Sequence, residues 1–280
     1  MAAFAPLSFA QMIESQETAS AAPSPPGGNR SWIRPLLITG NYSVPVALIG
    51  THFRFPWLIA AAVCVHSCFS YAIASPTCGW LGPVVTRFRA RGNQVWLTID
   101  DGPAGEASVW LGKEMERRGA RATFFVKGGN LARDPEIGRA LIAAGHTLAN
   151  HTQTHPAFLF WWRRPVALRA EIDQCNEALR QAGAPETRWF RSPVGLKHVF
   201  LQPALARRGM RLIAWNVRGR DGLNCDPDVV ARRVGSRVAP GAIIVLHEGK
   251  KRSNEAILRV VDELKARGYS FVIPDDDQLI

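Results

Sequence analysis

The segment Gln94-Val95-Trp96-Leu97-Thr98-Ile99-Asp100-Asp101-Gly102-Pro103 decides how this chain is read. Val95 to Ile99 is a short apolar run with β-branched and aromatic members, the composition of a buried strand. Two adjacent carboxylates follow directly, and Gly102-Pro103 then forces a turn. Neighbouring side chains on an extended chain point to opposite sides, so Asp100 and Asp101 face different ways. One can hold a cation while the other faces a substrate. The plainer alternative is an acidic turn or a helix cap.

Outward from this segment the chain alternates strands and helices. Helices are expected over 106–118, 135–144, 165–181, 200–208, 228–238 and 253–267, most of them closed by a glycine. Strands are expected over 122–126, from 189, and over 212–215, 242–246 and 269–273. Repeated strand–helix units imply a mainly parallel sheet, open or closed into a barrel. Catalytic groups then belong just past the C-terminal ends of strands.

Several polar residues meet that expectation. In Asn150-His151-Thr152-Gln153-Thr154-His155-Pro156 the two histidines stand four apart. On a helical turn that spacing puts both imidazoles on one face, a bidentate arrangement for a transition metal. Two histidines plus one carboxylate leave positions open for water and substrate. Arg191 follows the apolar pair Trp189-Phe190, and Ser192-Pro193-Val194-Gly195 turns the chain after it. A cation fixed there would orient a carboxylate; a surface arginine is the alternative. His247 directly follows the apolar run Ile243 to Leu246, outside the histidine pair, which makes it the natural general acid. Asp221, six residues beyond Trp215, is either a partner in the site or a solvated loop acid.

The N-terminal part has a different character. Residues 1–31 are rich in Ala, Ser and Pro and read as a disordered leader without the charged start of a signal peptide. Residues 32–86 form an apolar region in which Arg54 is the sole fully charged side chain from Pro35 onward. Trp57 to Ala74 is about the length that crosses a bilayer, with Trp57 and Tyr71 near the interfaces. The weaker stretch 36–49, interrupted by Gly40, Asn41 and Pro45, would pair with it as a hairpin. A buried core helix is the alternative. If His66 lies mid-membrane, it needs a polar partner. Flanking arginines are balanced for a single span, and a hairpin would leave both flanks cytoplasmic. The five cysteines, Cys64, Cys68, Cys78, Cys175 and Cys225, are an odd number without zinc spacing and read as small buried hydrophobes.

The 280 residues carry a net charge of +11, which favours anionic neighbours. Scattered arginines, rather than a basic stripe with aromatics, argue for a membrane and against nucleic acid. The expected location is at a membrane, a bacterial inner membrane in the first instance.

Five ordered motifs make residues from about 94 to 273 resemble a polysaccharide deacetylase domain of the NodB type, carbohydrate esterase family 4. Thr98-Ile99-Asp100-Asp101-Gly102-Pro103 resembles the family's TFDDGP, and His151-Thr152-Gln153-Thr154-His155-Pro156 its H-[ST]-x-x-H-P. Arg191-Ser192-Pro193-Val194-Gly195 resembles R-x-P-Y-G, Trp215 through Asp221 covers the D-x-x-D-W region, and Val245-Leu246-His247-Glu248 resembles L-L-H-D. The resemblance implies an α/β fold, a distorted (β/α) barrel over 87–280, and a divalent metal, zinc before others. It implies Asp101, His151 and His155 as ligands, Asp100 as base and His247 as acid. Arg191 would orient Asp100, Asp221 would tune His247, and the Val194 N–H would help hold an oxyanion. The implied substrate is an N-acetylated amino sugar of a glycan or glycolipid. Alternatives are a lipid-linked or phosphorylated membrane substrate, and a catalytically dead, membrane-anchored glycan-binding protein.

Three departures stand out. Arg218 occupies the place of the first Asp of the fourth motif, Gly222 that of its Trp, and Glu248 that of the final Asp. They leave the proposed ligands, base and acid intact and alter the groove. Arg218, with Arg220, would meet a phosphate or an acidic sugar.

Overall fold

The computed structural model describes residues 33–51, 55–222 and 226–280. The expected leader, and Cys225, lie outside them.

The decisive segment forms the central strand, β1 (Gln94–Asp100), whose residues from Val95 onward are all buried. β1 pairs in parallel with β2 (Ala122–Val126) on one side and β7 (Ala242–His247) on the other. From β2 the sheet continues through β3 (Thr147–Asn150), β4 (Trp189–Phe190) and β5 (Arg211–Leu212); from β7 it continues to β6 (Val217–Arg218). β8 (Ser270–Phe271) pairs with the start of β1. Every ladder is parallel, as strand–helix–strand crossovers require. The sheet curls as a half-barrel, and the segment leaving the N-terminal region crosses the open side. There Val85 bridges Ile213, and Arg87 bridges Ala242.

The two faces of β1 explain why this strand carries both core and chemistry. Val95, Leu97 and Ile99 join the large apolar cluster under the helices, with Leu111, Ile137, Val230 and Val261. Trp96 points the other way, into a cluster with Phe125, Ala149 and Ile243. Thr98 and Asp100 share the Trp96 face by the two-residue period. The outer helices are α3 (Glu106–Arg117), α5 (Pro135–Ala143), α6 (Pro165–Gln181), α8 (Pro227–Gly235) and α9 (Ser253–Ala266), with the single turn α4 (Gly128–Leu131) and the short α7 (Leu201–Ala206) between them. Asp134 caps α5 by accepting from the Glu136 N–H at 3.2 Å, as its position before Pro135 suggests.

The sequence reading gives each long helix within a few residues of its ends. It misses β3 and β6, which are short and end in polar residues. The strand expected over 212–215 ends at Leu212, although Ile213 still donates to the Phe190 carbonyl at 2.8 Å and bridges Val85 on its other side.

The apolar region folds as two helices packed together, α1 (Ile33–Gly50) and α2 (Pro56–Ala74). Trp57–Ala74 is long and apolar enough to cross a membrane, with a mean hydropathy of 1.7 and little of its surface buried. Where the two helices meet, a Cβ on Gly40 would stand 3.1 Å from Val65. At the next residue of each helix, His66 Nδ1 and Asn41 Oδ1 are 3.2 Å apart, the polar partner that a histidine in mid-membrane would require. Cys78 and Cys175 are buried, but Cys64 is exposed on α2, so the expectation of uniform cysteine burial fails there.

Candidate active site

The strand ends converge as expected. Asp100 closes β1, and Asp101 follows it with φ 75°, in the left-handed region. That backbone turn sends the two carboxylates apart. Asp100 turns into the protein and is buried, whereas Asp101 remains partly exposed.

The histidine pair is built differently from the helical turn that its spacing suggests. His151 directly follows β3, and the chain then loops through Thr152 and His155, both with positive φ. The loop is tied at three points. Asn150 Oδ1 accepts from Thr152 N–H at 2.9 Å, Thr152 Oγ1 accepts from His155 N–H at 3.1 Å, and Glu171 accepts from Thr154 N–H at 2.8 Å. A strand end and a pinned loop thus achieve what a helix face would have done. The two imidazoles stand with centroids 4.8 Å apart.

Asp101, His151 and His155 each offer one donor atom, and the three atoms lie within 4.8 Å of one another. His155 Nε2 is 3.3 Å and His151 Nε2 is 4.0 Å from Asp101 Oδ1. Two ligands of a tetrahedral ion, each ~2.1 Å from it, stand roughly 3.4 Å apart, so the set fits a divalent cation with modest closure. Protonation states agree with that fit. Burial and the neighbouring His151 push His155 down to about 4, and burial lowers His151 too. Burial opposes ionisation of Asp101, yet His151, His155 and Lys127 outweigh it and hold the carboxyl below its ordinary value. Neutral imidazoles beside a carboxylate are the forms a metal needs. The Nδ1 of His151 lies 2.8 Å from the Arg191 carbonyl oxygen, which directs Nε2 into the site.

Arg191 is fully buried and joins Asp100. Its Nη1 donates to Asp100 Oδ1 and to Thr98 Oγ1, each at 2.7 Å. Nε donates to the Ile213 carbonyl at 3.2 Å and Nη2 to the Ala214 carbonyl at 3.1 Å. The guanidinium also lies 4.0 Å from the Phe125 ring centroid. The strand end at Leu212 thus has a use: the two carbonyls that follow it face a buried cation. The other oxygen of Asp100 is 4.0 Å from His151 Nε2, at the edge of the donor group.

Across β1, His247 ends β7 opposite Asp100 in the ladder. Its Nδ1 is 3.0 Å from Asp221 Oδ1, and its N–H donates to Asp221 Oδ2 at 2.6 Å. Burial works against the imidazolium, but the hydrogen bond and charge of Asp221 outweigh it and raise the His247 pKa. Asp221 is therefore not a solvated loop acid.

The two remaining candidates sit on the rim. Val194 is exposed with φ 48°, in a short turn where the next residue, Gly195, has no room for a Cβ. Arg218 is exposed, with its guanidinium 5.8 Å from the Trp215 ring centroid.

Two neighbours escaped the sequence reading. Lys127 follows β2, and its Nζ is 3.7 Å from Asp101 Oδ1. The strand-end rule, applied to β2, would have found it. Glu248 was seen only as a substitution. Its side chain is buried under Gly102, where an added Cβ would stand 1.6 Å from Oε1, and Oε2 accepts from Ser108. Burial raises its carboxyl to about 7.

The chain is similar to known polysaccharide deacetylases. A family model described as polysaccharide deacetylase matches residues 89–213. A chitooligosaccharide deacetylase from Bradyrhizobium sp. is 31% identical over 187 residues, covering 64% of this chain and 83% of that protein. A peptidoglycan-N-acetylglucosamine deacetylase from Listeria monocytogenes is 24% identical over 186 residues, covering 65% of this chain and 38% of that protein. Among solved structures, a family 4 carbohydrate esterase from Streptomyces lividans, in complex with acetate, superposes with a TM-score of 0.62. It is 28% identical and covers 68% of this chain and 98% of its own.

Proposed function

Because this chain belongs to the polysaccharide deacetylase family, as a NodB-type domain of carbohydrate esterase family 4, we propose that it removes N-acetyl groups from an amino sugar with Asp100 as base and His247 as acid. The enzyme class itself, a hydrolase of amide bonds, comes with the family. One observation carries the assignment of roles. A three-donor group of Asp101, His151 and His155 stands with a carboxylate locked by Arg191 and a histidine hydrogen-bonded to Asp221.

Asp101, His151 and His155 would hold a divalent metal, zinc in the first instance. When bound, it would supply Lewis-acid polarisation of the acyl carbonyl and of water. The protein's own groups do the rest. Asp100 takes the proton of the attacking water, and Arg191 keeps that carboxylate aimed. The Val194 N–H, on the turn after Arg191, faces the developing oxyanion. His247, whose hold on a proton Asp221 strengthens, gives its proton to the nitrogen as acetate leaves. Lys127 stands beside Asp101 as a second positive charge near the acyl group. Arg218 and Trp215 form part of the rim that meets the sugar.

The apolar hairpin is an N-terminal membrane anchor in this reading, and the catalytic unit runs over 87–280. A dead, glycan-binding version of the fold is disfavoured by the complete set of ionisable groups. Acetate release from N-acetylated oligosaccharides, measured on metal-loaded and metal-stripped full-length protein, tests the proposal. Release by the loaded protein alone is expected, and equal silence from both forms would overturn it.

A further inference from the structure

The apolar hairpin ends against the residues that follow Arg191. The Lys197 N–H donates to the Ile73 carbonyl at 3.0 Å, Lys197 Nζ donates to the Ser75 carbonyl, and Arg34 Nη2 donates to the Val199 carbonyl at 2.8 Å. Leu196 and Val199 pack on the cluster formed by Phe69, Ile73 and Leu81. A Cβ on Gly195 would stand 2.6 Å from Pro76 and 2.9 Å from Trp215. The domain-proximal end of α2 is thus wedged behind the turn that bears Val194. The far end of the hairpin leaves Val46, Ile49, Trp57 and Ile59 exposed.

From that junction the surface continues to the stretch after His155. His198 Nε2 is 2.7 Å from the Arg163 carbonyl oxygen, and its ring lies 5.7 Å from that of Phe200, which is itself exposed. Arg163 closes a 3-10 turn, Ala157–Trp162. In that turn Phe160 is buried, but Phe158 is 75%, Leu159 70% and Trp162 74% exposed. Such a density of large apolar side chains on a surface calls for an occupant. Arg163, which also pairs with the buried Glu171 at 3.3 Å, and the exposed Arg164 follow at once, and the whole chain carries +11. Aromatic residues flanked by arginines match the headgroup layer of an anionic bilayer.

We propose that the turn Ala157–Trp162 seats in the headgroup layer of the bilayer that α2 enters, so that the site opens at the membrane surface and takes N-acetylated amino sugars carried on a lipid. The identity of the acyl group rests on the deacetylase reading; the seating does not. Two anchors, the hairpin end behind Gly195 and the turn after His155, then flank the site along the membrane plane. A sugar attached to a lipid arrives at the height at which it must react, whereas a soluble polymer has to be lifted to the bilayer.

Full-length protein in vesicles of phosphatidylcholine and phosphatidylglycerol tests this, with bromines placed shallow on the acyl chains. The tryptophan emission that disappears in the Trp161→Phe/Trp162→Phe variant should be quenched about twofold or more by the brominated lipid. If that component keeps its full intensity, the seating is wrong. In a second arm, Phe158→Ser/Leu159→Ser/Trp162→Ser should lower acetate release from a vesicle-borne N-acetylglucosaminyl lipid about tenfold or more, and spare a soluble chitooligosaccharide. Equal losses on both substrates would show that the turn grips sugar, and would overturn the proposal. Absence of acetate from every substrate with the unaltered chain would sink the deacetylase reading and leave quenching to decide the seating.

Discussion

Replacing Arg191 by Met should destabilise the protein severely, and the reason can be worked from the bonds that it makes. The guanidinium donates to Asp100, Thr98 and the carbonyls of Ile213 and Ala214, with 1% of its surface exposed. Met fills much of the same space with an apolar chain and removes every donor, including the guanidinium that lies over Phe125. Asp100 is then a buried carboxylate without its cation, a situation that costs roughly 3–5 kcal/mol. Solvent screening gives no relief at this depth. For a domain of this size each kcal/mol moves the midpoint by about 2–4 °C, so a fall of roughly 6–20 °C is expected. The assay is thermal unfolding of the full chain in detergent, followed by near-ultraviolet circular dichroism. The control is a double-mutant cycle with Asp100→Asn. Neutralising the stranded carboxylate should return part of the loss, giving a coupling of about 2 kcal/mol or more. A single variant that melts within about 2 °C of wild type would refute the reasoning, as would a double variant no more stable than the single one.

The remaining predictions concern activity. Asp100→Asn should retain bound metal, measured by elemental analysis, and lose about 10²–10⁴-fold in turnover. His151→Ala should lose its metal on dialysis, and chelation of the unaltered protein should abolish acetate release until zinc is returned. In Asp221→Asn the carboxylate charge that raises His247 is gone, and only Asp100 and Asp101 still oppose burial, which lowers it. An acid must be protonated to act, so the basic limb of the kcat/KM profile should move to lower pH; a limb that stays in place removes His247 from the role. Gly195→Ala has a positive φ and two close neighbours against it. It should cost about 1–3 kcal/mol and also reduce turnover, because the displaced turn carries Val194.

Much of the fold was legible because the strong signals are local. Val95 to Ile99 can only be a buried strand, and glycines such as Gly119 and Gly268 mark where helices must stop. β3 was missed because the polar Thr147 and Asn150 dilute four residues; what makes them a strand is the pairing of Phe124 and Phe125 with Leu148 and Ala149. The histidine spacing picked out two residues that the fold brings beside Asp101, but through a different backbone. Periodicity cannot distinguish a helical turn from a loop pinned by Asn150, Thr152 and Glu171. Lys127 was overlooked although it stands at the end of β2, whereas the packing of Glu248 under Gly102 became visible only with the sheet assembled, because the two are remote in sequence. The docking of the hairpin on Leu196 and Val199 had no sequence signature at all, since both partners are ordinary apolar residues.

Arg191 supplies two fixed points from a single residue: its carbonyl oxygen meets the His151 ring, and its guanidinium meets Asp100. The separation between base and donor group is therefore referenced to one common datum. A drift of strand β4 carries both along, and their relative registration survives motions that shift either of them against the rest of the barrel. Fluctuations then cost little reactive geometry, because the distance that governs attack is measured within one residue rather than across the fold.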